Sequence, residues 1–183
     1  MMPQLWQTDI HNGIALADLH EKMIAFAESH FDRHGKVPFL WMINDGSHLL
    51  WVKTNWEDDV EKYQSAQFMR KLLQVSNARS YSFMHEIWIA RFAPGEETMQ
   101  PSQMPANRRD DALVITTQER GGPYLNTQYL VTLSQPKNFL GPRVDAVYPE
   151  GAVMGGELWN LFEPPKNRAD IEREAKEKQY GNA

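Results

Sequence analysis

Between Phe39 and Val52 the chain has few structural options. Two apolar runs, Phe39-Leu40-Trp41-Met42-Ile43 and Leu49-Leu50-Trp51-Val52, flank Asn44-Asp45-Gly46-Ser47. Asp-Gly between apolar runs is a strong hairpin signal, because glycine supplies the positive φ of a tight turn. Both runs are apolar at consecutive positions rather than alternate ones. Strands of that kind need cover on two sides, so the hairpin predicts a layered domain.

Helical patterns lie on either side of it. Leu16, Leu19, Met23, Phe26 and His30 recur at three-to-four spacing and predict a helix over about 8–35. Thr8, Asp9 and Asn12 are its candidate N-caps. Gly35 is the candidate left-handed C-cap, with Pro38 shortly after. A second helix is expected over about 56–77, capped by Asn55, with Glu57, Asp58 and Asp59 at the positive end of its dipole. Val60, Tyr63, Ala66, Met69 and Leu73 form its stripe, widened by Phe68 and Leu72.

Residues 79–92 read as a long central strand, apolar on both faces. The proline-bearing segment 93–110 has no periodicity and reads as a long loop. Residues 111–119 and 124–133 predict a second hairpin around Arg120-Gly121-Gly122-Pro123, with one solvated side, as at a sheet edge. Phe139-Leu140, Val144 and Ala146-Val147-Tyr148 suggest a further short strand. Gly151 to Gly156 is a turn region, and 166–183 is a charged helix or tail.

The expected order is α-β-β-α-β-β-β, then an irregular part and a charged helix. It predicts a single α+β domain over 1–165, with two long helices packed on a mainly antiparallel sheet. This order resembles roadblock-type and, more loosely, profilin-like domains. The likeness is one of topology alone, and the long loop and the segment 136–165 depart from it. It implies a dimerising or scaffolding role.

Composition narrows the function classes. Lys+Arg is 19 and Asp+Glu is 24, a net charge of −5. That balance argues against nucleic acid and anionic membrane surfaces as partners. The chain has no cysteine, which excludes disulfides, thiolate nucleophiles and cysteine zinc sites. Its first residues lack the basic and apolar regions of a signal peptide, and a cytoplasmic location is expected.

Three groups of residues carry possible chemistry. His30 and His34, four apart on a helix, have the spacing of zinc ligands, with His20, His48 or His85 as a third. Phe31 stands where the metalloprotease motif needs a glutamate. The plainer reading is two helix-end histidines favoured by the dipole. Glu86, between Met84 and Trp88, is expected to be largely desolvated, as suits general acid–base work, or else tied to a helix end or an arginine. Its neighbour His85 points to the opposite face, so the two form no dyad. Ser102, Asn107, Arg108, Arg109, Asp110 and Asp111 are candidates for binding a carboxylate or phosphate, or for local pairing at a strand start.

No phosphate loop, dinucleotide fingerprint or nucleophile elbow occurs. Six Trp and nine Met are generous for 183 residues and suit an interface. The leading expectation is therefore a non-enzymatic protein–protein interaction module with no cofactor. Its partner is another protein or itself, in a homodimer or a larger assembly such as a virus-type particle. Trp6, Trp159, Gln128 and Thr132 are its expected contacts. The alternative is a hydrolase-like or ligand-binding enzyme using the His and Glu candidates.

Overall fold

The computed structural model describes residues 3–10, 13–90, 105, 108–134, 137–149 and 161–162. The expected C-terminal helix, the turn region at Gly151 to Gly156, and Trp159, Ser102 and Asn107 lie outside the described residues. So does most of the segment 93–110.

Eight strands and two helices run in the order β1 (Gln4–Asp9), α1 (Leu16–His34), β2 (Phe39–Asn44), β3 (His48–Thr54), α2 (Asp59–Val75), β4 (Ser80–Ala90), β5 (Arg109–Glu119), β6 (Tyr124–Thr132), β7 (Phe139–Leu140) and β8 (Val144–Tyr148). The strands form one sheet in the order β1-β3-β2-β4-β5-β6-β7, and β8 also pairs with β6. Every pairing is antiparallel. The α+β class and the mainly antiparallel sheet are as expected. Residues 1–55 and 78–153 form one compact unit, and residues 56–77 and 154–183 form another.

In the first unit, α1 lies on one face of the sheet. Leu19, Met23, Ile24 and Ala27 pack there with Leu40, Met42, Leu49, Met84, Leu113, Ile115 and Tyr129. The opposite face of the central strands is equally apolar: Trp41, Ile43, Tyr81 and Phe83 are buried, and Trp41 stacks on Phe83 with centroids 3.6 Å apart. The β2–β3 turn forms where Asp45-Gly46 predicts it. Gly46 has φ 98°, and a Cβ there would meet the Arg79 guanidinium at 2.5 Å.

Several expectations need correction. The first helix begins at Leu16, not Thr8, and Gln4–Asp9 form a strand instead. The helix N-cap is Ala15, which contributes no side-chain hydrogen bond. Its buried stripe is Leu19, Met23, Ile24, Ala27 and Phe31, so Phe26 and His30 lie on its flank. Gly35, at φ 69°, does close it in the left-handed conformation.

In the second unit, α2 starts at Asp59 and is capped by Asp58, whose carboxylate accepts the Glu61 N–H at 2.8 Å; Asn55 is not the cap. Ala66, Met69 and Leu73 are buried as expected, whereas Val60 is 64% exposed.

Finally, β6 is not an edge. Gln128 pairs with Val144 of β8 and Thr132 with Phe139 of β7, so the solvated side of the hairpin is a face rather than a border. The short strand expected near 139–148 is two strands, both spent on β6.

Candidate docking groove beside the first strand

Antiparallel register assigns each side chain to a face. Gln4, Trp6 and Thr8 of β1 share the α1 side with Trp51 and Lys53 of β3; Leu5 and Gln7 point to the other side. Trp6 lies over Trp51 with centroids 6.1 Å and planes 7° apart. Phe26 of α1 meets Trp51 at 5.6 Å and His30 at 5.7 Å. His30 in turn meets His34 at 4.4 Å. A continuous aromatic row therefore runs from the outermost described strand to the end of α1.

Two cavities flank this row, and His30 lines both. One, of about 400 Å³, is bounded by Gln4, Lys36, Val37, Phe39 and Lys53 among others. The other, of about 450 Å³, is bounded by Lys22, Phe26, Ser29, Arg33, His34 and Trp51. Both fall in the size range of ligand pockets. Neither lining includes a carboxylate among the described residues, although acidic side chains outnumber basic ones in the chain.

Helical spacing explains this charge separation. Glu21, Glu28 and Asp32 fall on one flank of α1, and Lys22, Ser29 and Arg33 fall on the other. The acidic flank meets its partners on the sheet side: Arg143 holds Glu21, the Tyr129 hydroxyl donates to Glu28 at 2.6 Å, and Lys137 donates to Asp32 at 2.6 Å. Lys22, Arg33, Lys36 and Lys53 make no ion pair among the described residues. Burial lowers the pKa of His30, and the charges of His34, Lys53 and Arg33 lower it further. The groove lining thus carries basic side chains next to flat apolar surface, with the Glu86 carboxylate at one end, bound to the Val37 N–H and within the field of Lys36.

The other candidates fall elsewhere. Glu86 is exposed rather than enclosed, and Trp88 beside it is 51% exposed. Its carboxylate accepts the Val37 N–H at 2.8 Å, just beyond the end of α1. Partial desolvation raises its pKa, the Val37 N–H opposes the rise, the Asp111 charge adds to it and the Lys36 charge opposes it. Arg109 stacks over Trp88 at 4.5 Å, and Asp111 stands opposite Trp88 in register. The structure therefore brings Glu86, Arg109 and Asp111 onto one face, as neighbours along β4 and β5. The Arg108 N–H donates to the Pro105 carbonyl at 3.0 Å. His85 is on the opposite face, stacked on Phe83 at 4.5 Å.

His20 and His48 do not converge on His30 and His34. His48 lies 3.0 Å from Asp45 at the β2–β3 turn. His20 is buried between the hydroxyls of Thr117 at 2.7 Å and Thr127 at 2.9 Å. Donor accounting assigns a proton to Nε2. The Thr127 hydroxyl donates to Asp145 at 2.5 Å, so its oxygen accepts from His20 Nε2–H. A neutral ring then accepts at Nδ1 from the Thr117 hydroxyl, which accepts in turn from Ser82 at 2.6 Å. Burial lowers the pKa of His20 and agrees with the neutral form. Among the described residues, no group of three His, Asp or Glu side chains is placed to hold a metal. No helix among them is long and apolar enough to cross a membrane.

Sequence reasoning missed β1 and the groove beside it. One available signal was Asn12-Gly13, a turn dipeptide that separates the strand from the helix. Comparison with known proteins finds no matching family model, no matching curated protein and no matching solved structure.

Proposed function

We propose that this chain is a non-enzymatic protein-interaction module that receives an extended segment of its partner along β1. The carrying observation is the strand itself. All six residues of β1 are exposed, and Leu5 and Trp6 expose 52% and 43% of their surface. β1 pairs only with β3 among the described residues, so its alternate N–H and C=O groups face outward. Proteins usually blunt such an edge with proline, lysine or a bulge; Gln4–Asp9 contains no proline or lysine. Strand addition supplies main-chain hydrogen bonds for affinity and alternate side-chain positions for specificity. A cytoplasmic setting belongs to the same proposal.

Hydrogen exchange tests it. Short β-forming peptides, one alternating Glu with Val and one alternating Lys with Val, are added to the chain. Slowed exchange of the outward amides of 4–9 with either peptide supports the reading. Unchanged exchange with both overturns it.

A further inference from the structure

We infer that the partner segment is acidic on one side and apolar on the other, and that it is not a second copy of this chain. The inference rests on the strand-addition reading and adds the chemistry of the occupant.

The added strand would place alternate side chains on the two faces of the sheet. On the α1 side its neighbours are Gln4, Trp6 and Thr8, with the groove of Lys22, Arg33, Lys36 and Lys53 behind them. Four permanent cations with no ion pair among the described residues, Lys36 among them in the field of a described carboxylate, Glu86, favour carboxylates at those positions. On the other side the neighbours are Leu5, Gln7 and Asp9, and Leu5, more than half exposed, favours an apolar residue opposite it. The complementary segment therefore alternates Asp or Glu with an aliphatic residue.

Charge also decides against self-pairing. Two copies continuing one antiparallel sheet through β1 have both α1 helices on the same side. Their two basic grooves then adjoin, and like charges across an interface oppose association. A foreign acidic strand meets no such penalty.

The test compares the Glu–Val peptide with the Lys–Val peptide, following Trp fluorescence at low and high salt. The Glu–Val peptide is expected to bind about tenfold tighter at low salt, with the gap closing at high salt. The double variant K36E/K53E, with folding checked by circular dichroism, is expected to reverse the preference. N-methylation of the Glu–Val peptide at alternate residues, made in both registers, is expected to abolish binding in one register only. Equal binding of the two peptides overturns the acidic assignment while leaving strand addition standing. Binding of neither overturns both. Displacement of the Glu–Val peptide by single-stranded DNA at low concentration assigns the groove to nucleic acid and overturns the inference. A concentration-dependent dimer that is lost on L5D overturns the exclusion of a second copy.

Discussion

Trp6 lies almost parallel over Trp51, with ring planes 7° apart and centroids 6.1 Å apart. The two residues are direct register partners in β1 and β3. This pair ties the outermost described strand to the aromatic row beneath α1, and it joins the fold's border to the basic groove.

Trp6→Ala is therefore expected to loosen β1 without unfolding the domain. A cross-strand aromatic pair at an exposed edge is worth about 1 kcal/mol or less. Urea denaturation should show a loss of that order. Peptide binding should fall by much more than this stability loss explains.

The hydrogen-bond chain that runs from buried Ser82 through His20 to exposed Asp145 predicts a costlier change. Thr127→Val keeps the shape but leaves His20 Nε2–H without its acceptor, while Asp145 loses one donor and keeps Arg143. A buried donor left unmatched costs about 1–3 kcal/mol. Denaturation of Thr127→Val is expected to show a loss in that range, and Thr127→Ser a smaller one.

His20 also sets a pH dependence. Its folded pKa lies below the ordinary value of 6.5, mainly because burial disfavours the charged ring. The unfolded chain takes up the proton first as pH falls, so stability declines below about 6.5. His30 acts in the same direction, with burial again the leading cause. Thermal melts across this window should show the decline, and His20→Gln should flatten part of it.

Gly35 closes α1 at φ 69°, and an added Cβ would find its nearest neighbour at 3.9 Å. Space is available, so the cost of Gly35→Ala is conformational. About 1 kcal/mol is expected, with Gly35→Asn costing less, because asparagine tolerates the left-handed region. Chemical denaturation of the two variants checks the order.

Local chemistry made much of the fold legible. The Asp45-Gly46 turn, the Gly121-Gly122 hairpin, the Gly35 cap and the doubly apolar strand β4 each follow from neighbours in sequence. The helix stripe was misplaced because Phe26 and His30 fit the period as well as Ala27 and Phe31 do. Only the sheet beneath decides which side is the core. The edge was misassigned for a similar reason. Gln128 and Thr132 look solvated, but pairing with β7 and β8 is a long-range fact that no local pattern carries. The groove was half legible. His30, His34 and Trp6 stood out in the sequence, yet their union depends on the pairing of β1 with β3. Its positive character depends on which flank of α1 faces that pair.

The most direct measurement is hydrogen exchange of the Gln4–Asp9 amides with and without the Glu–Val peptide. Strand addition predicts that alternate amides exchange fast in the free chain and become protected on binding, while the buried amides of β2 stay unchanged. Protection confined to residues away from β1, or none at all, would contradict it.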